Sequence, residues 1–487
     1  MDLRGIMEEE NKYISYLNKS NKPKEPEEKV VTRRKKRRRA RMLAMLSFVV
    51  IIGLVGAGAW ALISGAGKKI DLNSLAFWKT TETQVVAEKN TDVENALEDI
   101  LGAEEEVVVV PHVIEEPEPT EEELFNAWLD EKIALMPLEE KVMSLFIVRP
   151  ESITGVETVI QAGDGTKAAL EKYTVGGIIY SDKNALSKDQ FAEMLKNTTD
   201  YSKYPLFLCV NEEPGTGSLS KKLGFASTRT QGEIAKTMDP YAAYTDSKTI
   251  ADYLKSVGIN FNIGFCSDVI NPDDDALIMK NRSYGTDPVI VSRMVQESVN
   301  AYKEDGLFVA TGLFPGQGSL RDDPETSVAS ITSTVEEIRA KQYDVYKSGI
   351  DAGLTAIVVS HAYADNLTTG NVPCSMSKEI YKDLLREDFG FTNTILIANC
   401  MDSSTITEYY DDDACAKAIK AGADMVLCPD NVDAAIESVV NAVKEQVIAE
   451  ERINDSLKRV FRFKYAEEYK KTVSKTYSES EGGSSDE

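Results

Sequence analysis

Histidine is nearly absent, with two in 487 residues, and tryptophan is scarce at three. A metal centre built on imidazole therefore lacks ligands: His112 stands in an acidic stretch, and no ligand spacing accompanies His361. No metal or other cofactor is expected. Positive charge is in deficit too, and a formal net charge of -25 argues against a nucleic-acid surface, because phosphate binding needs a basic footprint. The six cysteines (Cys209, Cys266, Cys374, Cys400, Cys415 and Cys428) contain no Cys-x-x-Cys pair. They read as small buried hydrophobes rather than a zinc site or a disulfide framework, which for an exported chain implies a reducing or anaerobic setting; a bridge stays open. No Gly-x-Gly-x-x-Gly follows the first strand-like run, which weakens any dinucleotide-binding reading.

One long apolar run stands out. Met42 to Ile63 ("MLAMLSFVVIIGLVGAGAWALI") carries no charge and follows directly on "RRKKRRRAR", Arg33 to Arg41. At about 1.5 Å per residue it spans the roughly 30 Å hydrocarbon core of a bilayer. The basic flank predicts a single-pass anchor in the cell membrane, with 1–41 as a cytoplasmic tail and the chain beyond Lys68 outside. The small residues Gly56 to Ala61 leave cleavage open. Residues 64–124 are acidic and weakly patterned, ending in "EEEVVVVPHVIEEPEPTEEE", and read as a stalk. The last stretch, 470–487, reads as a disordered, solvated tail.

Between 125 and 469 short apolar runs recur: "SLFIV" from Ser144, "GGIIYS" from Gly176, "LFLCVN" from Leu206, "NFNIGF" from Asn260, "LFVATGL" from Leu307, "TAIVVSH" from Thr355, "TILIANC" from Thr394 and "DMVLCP" from Asp424. Such runs suit strands buried on both faces. Helix-like stretches separate them, several closing on glycine (Gly258, Gly306, Gly353, Gly390, Gly422). Eight strands alternating with helices predict an α/β fold, a (β/α)8 barrel of the TIM type, with an open doubly wound sheet as the alternative.

In such a barrel chemistry sits at the C-terminal strand ends. Those ends carry Asn211 with Glu212 and Glu213, Asp268, the loop Gly312 to Glu325, His361, Asn399, and Pro429 with Asp430. As a ring around one mouth they suggest a binding pocket, although any single strand end is polar simply because the chain leaves the core there.

"MPLEEKVMSLFIV", "NRSYGTDP" (Asn281 to Pro288), "FPGQG" (Phe314 to Gly318), "LLREDFGFTNTILIAN" (Leu384 to Asn399) and "AIKAGADMVLCP" (Ala418 to Pro429) follow one another in an order that resembles the N-terminal barrel of glycoside hydrolase family 3. The resemblance is to its β-N-acetylglucosaminidase (β-N-acetylhexosaminidase) branch and covers roughly Pro137 to Tyr465. It implies a retaining mechanism on N-acetylglucosaminides, often from peptidoglycan. An Asp after the seventh strand would be the nucleophile, and an Asp-x-His pair in the loop after the fifth would be acid and base.

The matching positions depart from that pattern. The nucleophile position is Asn399, whose amide is a very poor nucleophile, and Asp402 is expected to point elsewhere. The Asp-x-His pair falls on Asp323 and Glu325; Glu325 is either a general acid with a raised pKa or an exposed loop carboxylate. Gly312 and Leu313 replace a sugar-gripping Lys-His, Gln317 a histidine, and Asn211 to Thr216 an Asp-Gln-Glu-Gly-Gly-Arg segment. Asn211, Asp268, Arg282, Gln317 and His361 remain as substrate-binding candidates, with Arg282 equally able to pair with a carboxylate such as Asp287. Three functions stay open: an impaired enzyme that binds cell-wall glycan or an envelope protein, an active glycosidase with an atypical site, and a scaffold of the cell envelope.

Overall fold

The structure is a computed structural model that describes residues 119–271, 279 and 281–482. The expected cytoplasmic tail, membrane anchor and most of the stalk lie outside these residues. Among the described residues no helix is long and apolar enough to cross a membrane.

Eight short runs pair in parallel and close on themselves: β1 (Phe146–Val148), β2 (Gly177–Tyr180), β3 (Phe207–Val210), β4 (Phe261–Cys266), β5 (Phe308–Phe314), β6 (Ala356–Val359), β7 (Ile395–Cys400) and β8 (Met425–Leu427). Each coincides with one of the eight apolar runs in the sequence. The last strand returns to the first through Phe146 opposite Val426 and Ile147 opposite Leu427. That closure excludes the open sheet. β1, β3, β6 and β8 are buried along their whole length, because helices cover the outside while interior side chains fill the barrel.

Three register shifts fall toward the C-terminal ends: Ile263/Phe265 in β4, Thr311/Phe314 between β5 and β6, and Ala398/Cys400 between β7 and β8. A bulge adds a residue and re-aims the side chains beside it. Two of these lie at the start of the long β5 loop and at Asn399, so the strand irregularities sit where the candidate site lies.

Helices enter and leave through local signals. Asp239 and Asp287 cap helices Pro240–Val257 and Pro288–Glu304, accepting from Tyr241 and Val289 N–H, each with proline at the first position. Gly258 ends the first of them at φ 92°, a conformation that side-chain-bearing residues rarely adopt. The acidic run assigned to the stalk ends as a helix, Glu121–Ala134, where Thr120 and Glu123 form a capping box. The stretch expected to be disordered from 470 carries helix Ala466–Gly482, and residues 483–487 are outside the description.

At the opposite end of the barrel from the mouth, Asp424 precedes β8 with a fully buried carboxylate. It accepts from Arg386 at 2.5 Å, Arg459 at 3.0 Å, the Leu396 N–H at 2.9 Å and the Ser456 hydroxyl at 2.8 Å, with Arg452 at 3.6 Å. Burial pushes its pKa up, and the three guanidiniums outweigh that and hold it below the usual carboxylate value. This charged cluster pins β7, β8 and the helix Glu450–Lys464 together.

Candidate active site

The loop after β5 is fixed from below. The Leu313 N–H donates to Asp268 Oδ1 at 3.1 Å and the Gln317 N–H to Oδ2 at 2.6 Å, so both carboxylate oxygens of Asp268 are engaged by loop backbone. Burial raises the Asp268 pKa to about 6 despite these two donors. Gln317 is buried as well, and its Nε2 donates to Ser360 Oγ at 2.8 Å. Gly318 is pressed against the segment after β4: a Cβ there would lie 2.1 Å from the Val269 carbonyl oxygen. Asp268 and Gln317, expected to hold a substrate, instead hold the loop, because their polar atoms face protein backbone and Ser360.

Farther along, the loop turns back over β7. Asp323 Oδ1 accepts from the Glu325 N–H at 3.0 Å, and the Glu325 carbonyl accepts from the Thr405 N–H and the Ser404 hydroxyl. These contacts place the Glu325 carboxyl on Asn399, whose Nδ2 donates to Oε1 at 2.9 Å. The exposed-loop reading of Glu325 is corrected: it is half-buried. Burial raises its pKa, reinforced by the charges of Asp323 and Asp402 and opposed by the Asn399 hydrogen bond and the charge of Arg282. A carboxyl so placed favours the protonated form that a general acid needs. Asn399 supplies a neutral amide to it.

Arg282 is held by Glu213, with Nε at 2.9 Å and Nη2 at 2.6 Å from the carboxylate oxygens. Its partner is thus a residue after β3 and not Asp287, which is committed to its helix cap. Glu212 accepts from the Leu219 and Ser220 N–H groups and is almost fully buried. Asp402 is paired with Arg149, and its charge reaches Glu325.

His361 is fully buried. Its Nε2 lies 2.9 Å from the Cys400 carbonyl, which only accepts, so the proton is on Nε2 and Nδ1 accepts from the Ser375 hydroxyl at 2.7 Å. Burial lowers its pKa to about 4, leaving a neutral ring that ties β6 to β7. Its polar atoms are satisfied inside the protein, so the substrate-binding expectation does not fit it.

Asn211 is exposed and lines a cavity of about 180 Å³ in the mouth, shared with Arg149, Tyr180, Asn184, Cys400 and Cys428. Pro429 and Asp430 line a separate cavity of about 280 Å³ with Asp411, Asp412 and Tyr410. The structure therefore brings together Asn399, Glu325, Asp323 and, through electrostatics, Arg282. Sequence reasoning missed Arg149, although a cation directly after an apolar strand run was a signal, and it missed Ser375, which had none. Among the described residues no group of three His, Cys, Asp or Glu side chains is arranged to hold a metal ion.

The model of the glycosyl hydrolase family 3 N-terminal domain matches residues 137–463, well over half of the chain. The chain belongs to glycosyl hydrolase family 3. A β-hexosaminidase A of Pseudoalteromonas piscicida is 22% identical over 325 residues, covering 61% of this chain and 54% of the relative. A β-hexosaminidase of Idiomarina loihiensis is 25% identical over 274 residues, covering 55% and 81%. The chain thus spans little more than half the length of the first of these relatives. Among solved structures, a family 3 β-N-acetylglucosaminidase from Paenibacillus superposes with a TM-score of 0.61 at 24% identity, covering 68% of this chain and 62% of that one. A β-N-acetylhexosaminidase from Beutenbergia cavernae gives 0.59 at 22% identity, covering 68% and 98%. At these identities the superpositions speak for the shared family 3 barrel.

Proposed function

We propose that this family 3 chain is a membrane-anchored, extracytoplasmic relative of the β-N-acetylhexosaminidases that binds an N-acetylglucosamine-containing cell-wall glycan in its barrel mouth without efficient hydrolysis. The observation that carries the reading is the Asn399 amide on the Glu325 carboxyl. A retaining mechanism needs two carboxyl groups, one of them an anionic nucleophile, and the position that the family resemblance assigns to it holds an amide. The nearby carboxylate of Asp402 is held by Arg149 and lies three residues beyond that position. The half-buried Glu325 on Asn399 and, lined by other residues, the 180 Å³ cavity beside Asn211 are the polar features of the mouth offered to a sugar. The basic run at 33–41 and the apolar run at 42–63 support the anchor.

A second reading, an active glycosidase with an atypical site, is favoured by the raised pKa of Glu325. Assaying the full chain on an aryl N-acetylglucosaminide separates the two. The expected outcome is no turnover by the natural chain and measurable turnover by Asn399→Asp. Turnover by the natural chain at ordinary glycosidase rates, about 1–1,000 per second, overturns the impaired-enzyme reading. Muropeptides added to the natural chain are expected to bind; failure to bind them points to an envelope scaffold instead.

A further inference from the structure

Two of the six cysteines meet in the mouth. Cys400 ends β7 and Cys428 directly follows β8, and both line the cavity that also holds Arg149 and Asn211. Cys400 pairs with Leu427, the residue before Cys428, so the two cysteines stand beside one another across the β7–β8 seam. In a regular strand pair the side chain of Cys428 would face away from that of Cys400, since successive side chains alternate between faces. Two local departures break that alternation here, the register shift at Ala398/Cys400 and the φ of 44° at Cys428, unusual for a residue with a side chain, and both cysteines line the same cavity. Neighbouring strands run about 4.8 Å apart and a strand rises about 3.3 Å per residue, so a one-residue offset puts the two Cα atoms about 6 Å apart, within the separation of about 4.4–6.8 Å that a disulfide spans.

The remaining cysteines differ. Cys209, Cys266, Cys374 and Cys415 are buried away from this cavity, whereas Cys428, also buried, lines it and Cys400 is half-buried and faces it. The Arg149 guanidinium is within electrostatic reach of both Cys400 and Cys428, while the neighbouring Cys428, burial and the charges of Glu325 and Asp402 raise the Cys400 pKa, so exchange runs through a minor thiolate fraction and is faster at high pH.

We propose that Cys400 and Cys428 form an oxidisable dithiol, closed to a disulfide across the β7–β8 rim by exchange with a small-molecule disulfide such as oxidised glutathione. Cys400 gives up its proton and its sulfur attacks one sulfur of the donor, breaking the donor's S–S bond and releasing one small thiol that takes up the proton. Cys428 then gives up its proton, and its sulfur displaces the second small thiol from the mixed disulfide. The protein loses two electrons and two protons, and the donor gains both as two thiols. The inference is independent of whether the mouth binds a glycan.

The full chain, reduced and then exposed to oxidised glutathione, is alkylated under denaturing conditions and mapped by peptide mass spectrometry. The expected result is a cross-linked pair of peptides containing Cys400 and Cys428, with the other four cysteines alkylated. Recovery of both residues alkylated, a stable glutathione adduct on either, or a bridge to a different cysteine overturns the proposal. In Cys400→Ser, Cys428 is expected to remain alkylatable after the same treatment, and continued loss of two thiols in that variant also overturns it. Because the first measurement uses the natural chain, misfolding of the variant does not blunt the test.

Discussion

Asn399 Nδ2 donates to Glu325 Oε1 at 2.9 Å across 74 residues of sequence, closing the β5 loop onto the end of β7. The bond joins a neutral amide to a half-buried carboxyl, so it tolerates either protonation state of Glu325. Replacing the amide by a carboxylate changes that.

In Asn399→Asp two carboxyl groups would share one recess, and like charges at this distance raise the pair's pKa. A pair whose folded pKa lies above its unfolded value contributes stability that is present below about pH 4 and lost as pH rises through the folded value. Asn399→Asp is therefore expected to match the natural chain near pH 4 and to be less stable by about 1–3 kcal/mol at pH 7. Denaturant unfolding at the two pH values checks this, and an equal loss at both would refute it.

Asp268 and His361 titrate against each other. The Asp268 pKa is raised to about 6, so its contribution is complete below about pH 4 and lost as pH rises through 6. That of His361 is lowered to about 4, so the unfolded chain binds a proton that the fold does not, and stability is lost as pH falls below about 6.5. Between about pH 4 and 6 the two slopes oppose one another. Asp268→Asn is expected to leave stability rising with pH across that window, and His361→Gln to leave it falling, each by on the order of 2 kcal/mol relative to the natural chain. Parallel curves for all three proteins would show that neither group is shifted as described.

Asp424 is the counterion of three guanidiniums. Asp424→Asn keeps the shape and removes the charge, leaving Arg386 and Arg452 largely buried without their anion. Breaking a buried ion pair on one side costs about 3–5 kcal/mol, and a loss of that size in thermal or denaturant unfolding is expected. The lowered pKa of Asp424 makes its contribution present above about pH 4 and lost on acidification. The deficit of Asp424→Asn should accordingly shrink in acid.

The barrel was legible because strands buried on both faces announce themselves as short apolar runs, and all eight did. What each strand-end side chain faces was not. Asp268, Gln317 and His361 have the composition of a sugar-binding ring, yet a polar residue at a strand end can turn inward to a loop amide as readily as outward to a ligand, and only the tertiary path of the β5 loop decides. Glu325 and Asn399 were paired in expectation through family resemblance alone, since nothing local links positions so far apart. The register shift that sets Cys400 opposite Leu427, beside Cys428, is something apolar patterning does not encode.

Arg282 and Glu213 form a two-point ion pair between the segment after β4 and the end of β3. The guanidinium is about a third exposed at 31% and the carboxylate at 15%, so solvent screens part of the attraction. Arg282→Met is expected to cost about 1–2 kcal/mol, less than a fully buried pair, because Glu213 retains some access to water. Glu213→Gln should cost a similar amount, and the double variant less than the sum, giving a favourable coupling in a double-mutant cycle. The charge of Arg282 also lowers the Glu325 pKa, so Arg282→Met should move the Glu325 titration upward when followed by carboxyl NMR. An unchanged titration together with additive stability losses would mean that the pair neither couples its two strand ends nor reaches the β5 loop.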